Sequence, residues 1–362
     1  MSNPDPSSRR HFLKTAAAAG TGTAALLASG NFAYANGATG PPRPRVGRGA
    51  FTYEMDHQWA KVPSGKQFGY THGIVEDRSG RIYIANQSRD AVMVFDPDGH
   101  FLTSWGQSYA QGAHGLTLAT EGDEEVLYLA NTGLAEVIKT TLDGDVIWKA
   151  GRPYLPQVYR QDKPYSPTET AVAPDGTVYV ADGYGQSWIH VYANDGKYLD
   201  SFGGPQEGAT GLSSPHGITI DRRSGEPVLQ IADRNHVRIV NFSLEGTYLG
   251  EVIPRSELRF PCTTFPAGDL LYIPDLFARV SIFDKENRKI VDLGDYVDGQ
   301  ILDEWSDFGE TYPDLKGYPN LPHEKRLEGK FISPHALWVD RSDNIYVVEW
   351  VEDGRVTKMT KT

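Results

Sequence analysis

The chain has 362 residues, with 38 Gly, 23 Pro, a single Cys and a formal net charge of −12. The acidic balance excludes a nucleic-acid partner and docking on anionic lipid, since both need a basic surface. One cysteine, Cys262, excludes an intramolecular disulfide, and the abundance of turn residues beside only 23% charged residues marks a turn-rich all-β chain large enough to bury a core.

The first 35 residues read as an address. Ser8-Arg9-Arg10-His11-Phe12-Leu13-Lys14 is a twin-arginine pattern, a weakly apolar stretch follows from Thr15 to Leu27, and Ala33-Tyr34-Ala35 supplies a small-x-small cleavage site. The apolar stretch is too short to span a bilayer, and no cysteine follows for a lipid anchor. The expectation is a twin-arginine signal peptide over 1–35, handled by the Tat translocase. A flexible Pro- and Arg-containing lead-in over 36–49 would follow, then one domain over 50–362. Such a protein would be periplasmic or secreted, without a membrane anchor, and monomeric.

Short segments then recur: Thr71-His72-Gly73, Ala113-His114-Gly115, Pro167-Thr168-Glu169, Pro215-His216-Gly217, Pro261-Cys262-Thr263 and Pro334-His335-Ala336. Each opens an apolar strand. In the first copy, Gly73–Glu76, Arg81–Ala85, Ala91–Phe95 and Phe101–Trp105 are strands, separated by the turns Asp77-Arg78-Ser79-Gly80 and Asp96-Pro97-Asp98-Gly99. Four strands per repeat, six times over, describe an all-β, six-bladed β-propeller. The sixth repeat supplies only three strands before the chain ends, and Phe51 to His57 is the expected fourth, closing the ring without an exposed edge. A segment over 295–330, carrying Trp305, Tyr312 and Tyr318, separates the fifth and sixth repeats. It reads either as a lid over the ring or as solvated padding.

Ring closure gathers one register of every repeat around one axis. His114, His216 and His335 belong to the second, fourth and sixth repeats, so they should converge at roughly threefold spacing. Three neutral imidazoles suit a borderline-soft ion such as zinc, with a fourth position left for water or substrate. The alternative for each is a buried histidine bonded to a neighbouring carbonyl. The loops after the second strands lie on the same face and include Asn86-Gln87-Ser88-Arg89, Asp182-Gly183-Tyr184 and Asp233-Arg234-Asn235.

The repeats resemble the NHL repeat. The stretch from about Thr71 to Thr362 resembles the peptidyl-α-hydroxyglycine α-amidating lyase family. The best-matching segments are Pro167-Thr168-Glu169 onward through Val178-Tyr179-Val180-Ala181-Asp182-Gly183-Tyr184, and Ser214-Pro215-His216 to Ile231-Ala232-Asp233-Arg234. The resemblance implies zinc on His114, His216 and His335, Tyr184 as base, and Arg234 assisting. It implies an exported zinc-dependent lyase that cleaves a hemiaminal-type C–N or related C–O bond of a peptide or small-molecule substrate. A packed aromatic is the alternative for Tyr184, and an ion pair with Asp182 or Asp233 for Arg234. The chain departs from the family at three places. Gln87, with Arg89 two residues on, stands where the family has an arginine. Ala336 stands where an acid helps bind calcium, which argues against Ca²⁺. His72 is an extra histidine, expected to add a ligand or contact substrate. His72, Arg89 and Glu169 are therefore the substrate-facing candidates. Glu169 and Cys262 on the inner face also read as structural residues. A metal-dependent lactone or ester hydrolase, or a non-catalytic NHL scaffold, are the rival functions.

Overall fold

A computed structural model of the protein describes residues 42–160, 163–297 and 318–362. The region 43–362 forms six antiparallel sheets, one per repeat. The innermost strands are Thr71–Glu76, Ala113–Glu121, Glu169–Val172, Pro215–Asp221, Phe265–Ala267 and Pro334–Val339. The architecture is the expected all-β, six-bladed propeller. Among the described residues no helix is long and apolar enough to cross a membrane. The stretch 1–35, expected to be a signal peptide, lies outside the described residues, as do Trp305 and Tyr312 of the inserted segment.

The ring closes as the incomplete sixth repeat requires. Phe51–Asp56 pairs antiparallel with Arg355–Lys361, in the register Tyr53 with Lys361 and Asp56 with Lys358. A strand that would otherwise present unpaired backbone is thereby covered. The stretch expected to be a flexible lead-in is different in part: Arg45–Arg48 forms a fifth strand on this blade. A two-residue turn with Gly49 in the left-handed region connects it to Phe51, and Arg45 pairs with Glu54 at 2.8 Å. The Pro-rich residues before it hide a hairpin that only its partner strand makes visible.

Packing is between neighbouring blades. Val75, Tyr83, Leu127 and Leu129 fill the space between the first two, and the fifth and sixth meet at Tyr53, Met55, Tyr272, Val347 and Met359. Trp59, Phe95, Tyr346 and Val356 seal the sixth blade against the first. The turn glycine Gly99 has φ of +81°, and a Cβ there would stand 1.9 Å from the Trp59 carbonyl oxygen. Only glycine satisfies both conditions.

A second repeated device orients one face of the ring. The residue that ends each second strand, or in the third blade directly follows it, is a buried acid or amide: Asn86, Asn131, Asp182, Asp233, Asp275 and Glu349. In five blades it accepts an N–H from the segment entering the innermost strand. The Ser166 N–H donates to Asp182 at 2.7 Å, Ser213 to Asp233 at 2.7 Å, and Ile332 to Glu349 at 2.7 Å. Asn131 instead donates its amide to the Tyr109 carbonyl. These bonds fix where each innermost strand begins.

Candidate metal centre

All four histidines of the repeated segments sit at β-bulges. The strand register slips between Thr71 and Gly73, Ala113 and Leu116, Pro215 and Gly217, and Pro334 and Ala336. A bulge removes a residue from the ladder and re-aims its side chain. Here it turns each imidazole to the axis. After His72, His114 and His216, though not after His335, a glycine serves the same end: a Cβ on Gly115 would lie 2.4 Å from the Thr168 carbonyl oxygen, and one on Gly217 2.4 Å from the Thr263 Cα. Glycine lets the next blade's innermost strand approach closely enough to touch the histidine.

The rings of His114, His216 and His335 form a near-equilateral triangle, with centroids 4.9 Å (114–216), 4.8 Å (114–335) and 4.8 Å (216–335) apart. Each donates its Nδ1–H to the carbonyl of the residue at the same register one blade on: His114 to Thr168 at 2.7 Å, His216 to Cys262 at 2.8 Å, His335 to His72 at 2.8 Å. A carbonyl can only accept, so the proton is on Nδ1 and every Nε2 keeps its lone pair. This is the outer-shell arrangement that orients metal-binding histidines. Each ring thus combines a carbonyl-bonded Nδ1 with an Nε2 whose lone pair is available to a metal ion.

Burial pushes the His114 imidazole down to about 3. His216 and His335 also lie well below the ordinary range, burial first and the Arg234 charge contributing. The rings therefore stay neutral, the form in which they ligate. Two sets of donors have their ligand atoms mutually within 4.8 Å: His72 with His114 and His335, and Cys262 with His216 and His335. Together they make a His/Cys cluster able to hold a metal ion. Cys262 stands where other blades carry histidine, and burial pushes its thiol up to about 12.

Tyr184 closes the triangle. Its hydroxyl is 2.9 Å from Nε2 of His216 and 3.4 Å from Nε2 of His114, and it accepts a hydrogen bond from Nη1 of Arg234 at 3.3 Å. The loop carrying it is shaped by Asp182, which accepts the Gln186 N–H at 2.6 Å. Tyr184 exposes 41% of its surface toward the funnel mouth, yet its hydroxyl is enclosed by these partners. That enclosure raises the phenol above its ordinary value, and Arg234 counters by charge and hydrogen bond without reversing it. Arg234 forms no ion pair with Asp182 or Asp233 among the described residues. Its guanidinium lies between the Tyr184 and Phe260 rings, 5.0 and 4.9 Å from their centroids. Asp233 is taken up by Arg238 and His236.

The three substrate-facing candidates separate. His72 joins the cluster, 4.3 Å from His114 and 4.5 Å from His335 between ring centroids. Glu169 lies below the histidines in the axial channel, a cavity of about 550 Å³ lined by the innermost strands, with its Oε1 3.4 Å from the Thr117 hydroxyl. Arg89 is not brought to the centre. It is exposed and lines a separate surface hollow with Lys66, Asp90 and Ser104, because its loop turns outward after Asn86. Beside the funnel, Phe260 and Phe277 stack at 5.2 Å. Tyr318, within the inserted segment, donates to the Leu276 carbonyl and lies 2.9 Å from the Ser333 hydroxyl, bracing the entry to the strand that bears His335.

No family model matches the chain. It is 28% identical over 162 residues to mouse peptidyl-glycine alpha-amidating monooxygenase, covering 43% of this chain and 16% of that protein. To peptidyl-glycine alpha-amidating monooxygenase B of Xenopus laevis it is 28% identical over 196 residues, covering 52% of this chain and 20% of that protein. The chain thus spans a fifth or less of the length of these curated relatives, and the homology is weak. Among solved structures, a streptogramin B lyase superposes with a TM-score of 0.57 at 10% identity, covering 86% of this chain and 98% of that one. A gluconolactonase from Xanthomonas campestris gives 0.58 at 12% identity, covering 89% and 98%. These two share the propeller fold.

Proposed function

We propose that the protein is an exported, zinc-dependent lyase acting on a hydroxyl-bearing carbon bonded to an amide nitrogen, as in a peptidyl-α-hydroxyglycine. One observation carries this reading: the Tyr184 hydroxyl is held between two metal-competent Nε2 atoms and the Arg234 guanidinium. His114, His216 and His335 would hold the ion, which when bound supplies Lewis-acid polarisation of a substrate oxygen.

The rest is work for the chain's own groups. With the Nε2 lone pairs of His114 and His216 engaged, Tyr184 loses its hydrogen-bond acceptors and keeps only its Arg234 donor. That combination favours the phenolate. Tyr184 then takes the proton of the substrate hydroxyl. The C–N bond breaks with its electron pair moving to nitrogen, a C=O bond forms, and the nitrogen takes a proton to leave as a primary amide beside an aldehyde. Water is neither consumed nor released, which separates this step from hydrolysis. Arg234, always charged, can also pair with a substrate carboxylate. The weak homology to amidating enzymes supports the substrate class.

The test is the release of glyoxylate from an α-hydroxyglycine peptide by the purified, zinc-loaded mature protein. Stoichiometric glyoxylate and amide are expected. Opening of a lactone or ester with no glyoxylate would replace the lyase by a hydrolase, and a metal-free protein inert to both would leave a scaffold.

A further inference from the structure

We infer that His72, from the first blade, is a fourth protein ligand of the axial ion, and the displaceable one. The inference rests on the ion of the reading above and not on the lyase chemistry.

Three observations place His72 in the set. Its Nδ1 is 3.3 Å from Nε2 of His335. Two nitrogens bound ~2.0–2.1 Å from one tetrahedral ion are themselves ~3.3 Å apart. Its ring lies nearer to His114 and His335, at 4.3 and 4.5 Å, than the three other rings lie to one another. Its ligand atom also groups with those of His114 and His335 within 4.8 Å.

A structural role alone accounts poorly for this ring. His72 is 3% exposed and its Nε2 has no hydrogen-bond partner. If Nδ1–H simply donated to His335, it would occupy the lone pair that His335 needs for an ion. Offering the Nδ1 lone pair to the same ion removes the conflict over the His335 lone pair.

The same comparison says which ligand yields. His114, His216 and His335 each have the second ring nitrogen anchored on a carbonyl, whereas His72 has no such anchor. An unanchored ligand is the weakest of four. The first blade therefore fills, in the resting protein, the position an incoming oxygen must take.

The test uses cobalt(II) in place of zinc, with azide as probe and no substrate. In the wild type, X-ray absorption of the zinc form should count four imidazoles, and the cobalt form should resist azide. His72→Ala should count three imidazoles, bind cobalt about tenfold more weakly, and change its visible spectrum with azide at a concentration at least tenfold lower. Circular dichroism and His72→Gln, which keeps bulk without a ligating nitrogen, show that the blade is intact. An imidazole count and azide response unchanged by both substitutions would overturn the inference, as would a protein that takes up no cobalt. Failure to release glyoxylate bears on the lyase reading only.

Discussion

Nε2 of His216 lies 2.9 Å from the Tyr184 hydroxyl, while Nδ1 of the same ring lies 2.8 Å from the Cys262 carbonyl oxygen. The carbonyl fixes the proton on Nδ1, so the tyrosine must be the donor at Nε2. A single backbone oxygen in the fifth blade thus decides what a side chain of the third blade can do.

Tyr184→Phe removes that hydroxyl and nothing else from the centre. Metal content should be unchanged, and turnover of the α-hydroxyglycine peptide should fall by ~10²-fold or more, the span for a positioned base. Steady-state kinetics beside zinc analysis checks this. An unchanged rate would make Tyr184 a wall of the funnel.

Glu169 gives a pH dependence of stability. Its burial in the channel pushes the carboxyl up to about 8 from an ordinary 4.5. Between these values the unfolded chain has already lost a proton that the folded chain retains, so stability falls as pH rises through the window. Denaturant midpoints at pH 5 and pH 8.5 should therefore diverge in the wild type and move closer together in Glu169→Gln. The same divergence in both proteins would place the titrating group elsewhere.

Much of this was legible in the residues. Asp- and Gly-bearing turns at repeated offsets announce blades because few other residues take the positive φ they need. The histidine register follows once the repeats are counted. The unequal fates of His72 and Arg89 were not legible, since they depend on how loops pack: one loop leaves Gln87 beside the cluster and carries Arg89 outward. The carbonyl anchors are equally invisible in the letters, because Thr168, Cys262 and His72 contribute backbone oxygens that every residue type possesses. Cys262, read from the sequence as an inner-face structural residue, did carry a donor's signal, for it occupies the same register after a proline as His216 and His335.

Cys262 is fully buried, and its thiol is pushed up to about 12. At pH 8 an alkylating reagent should modify no thiol in the native protein and one in denaturant, by mass spectrometry, because the thiolate is the nucleophile. Rapid native labelling would mean the centre opens far more widely than its packing shows.

Removing residues 1–57 deletes the strand Phe51–Asp56 and with it Tyr53 and Met55, 0% and 1% exposed between the fifth and sixth blades. The truncated chain should lose cooperative melting and aggregate through the bared edge of Arg355–Lys361. Loss of a buried side chain of this size alone costs about 2–5 kcal/mol. A truncated protein that melts like the full chain would show that the ring does not depend on this strand.

The most direct test of the metal centre is zinc stoichiometry, by elemental analysis, of the purified protein and of His216→Ala, each shown folded by circular dichroism. The wild type should carry about one ion per chain, as three carbonyl-anchored imidazoles around one axis imply, and His216→Ala should lose most of it. A folded His216→Ala protein that still holds stoichiometric zinc would contradict the account.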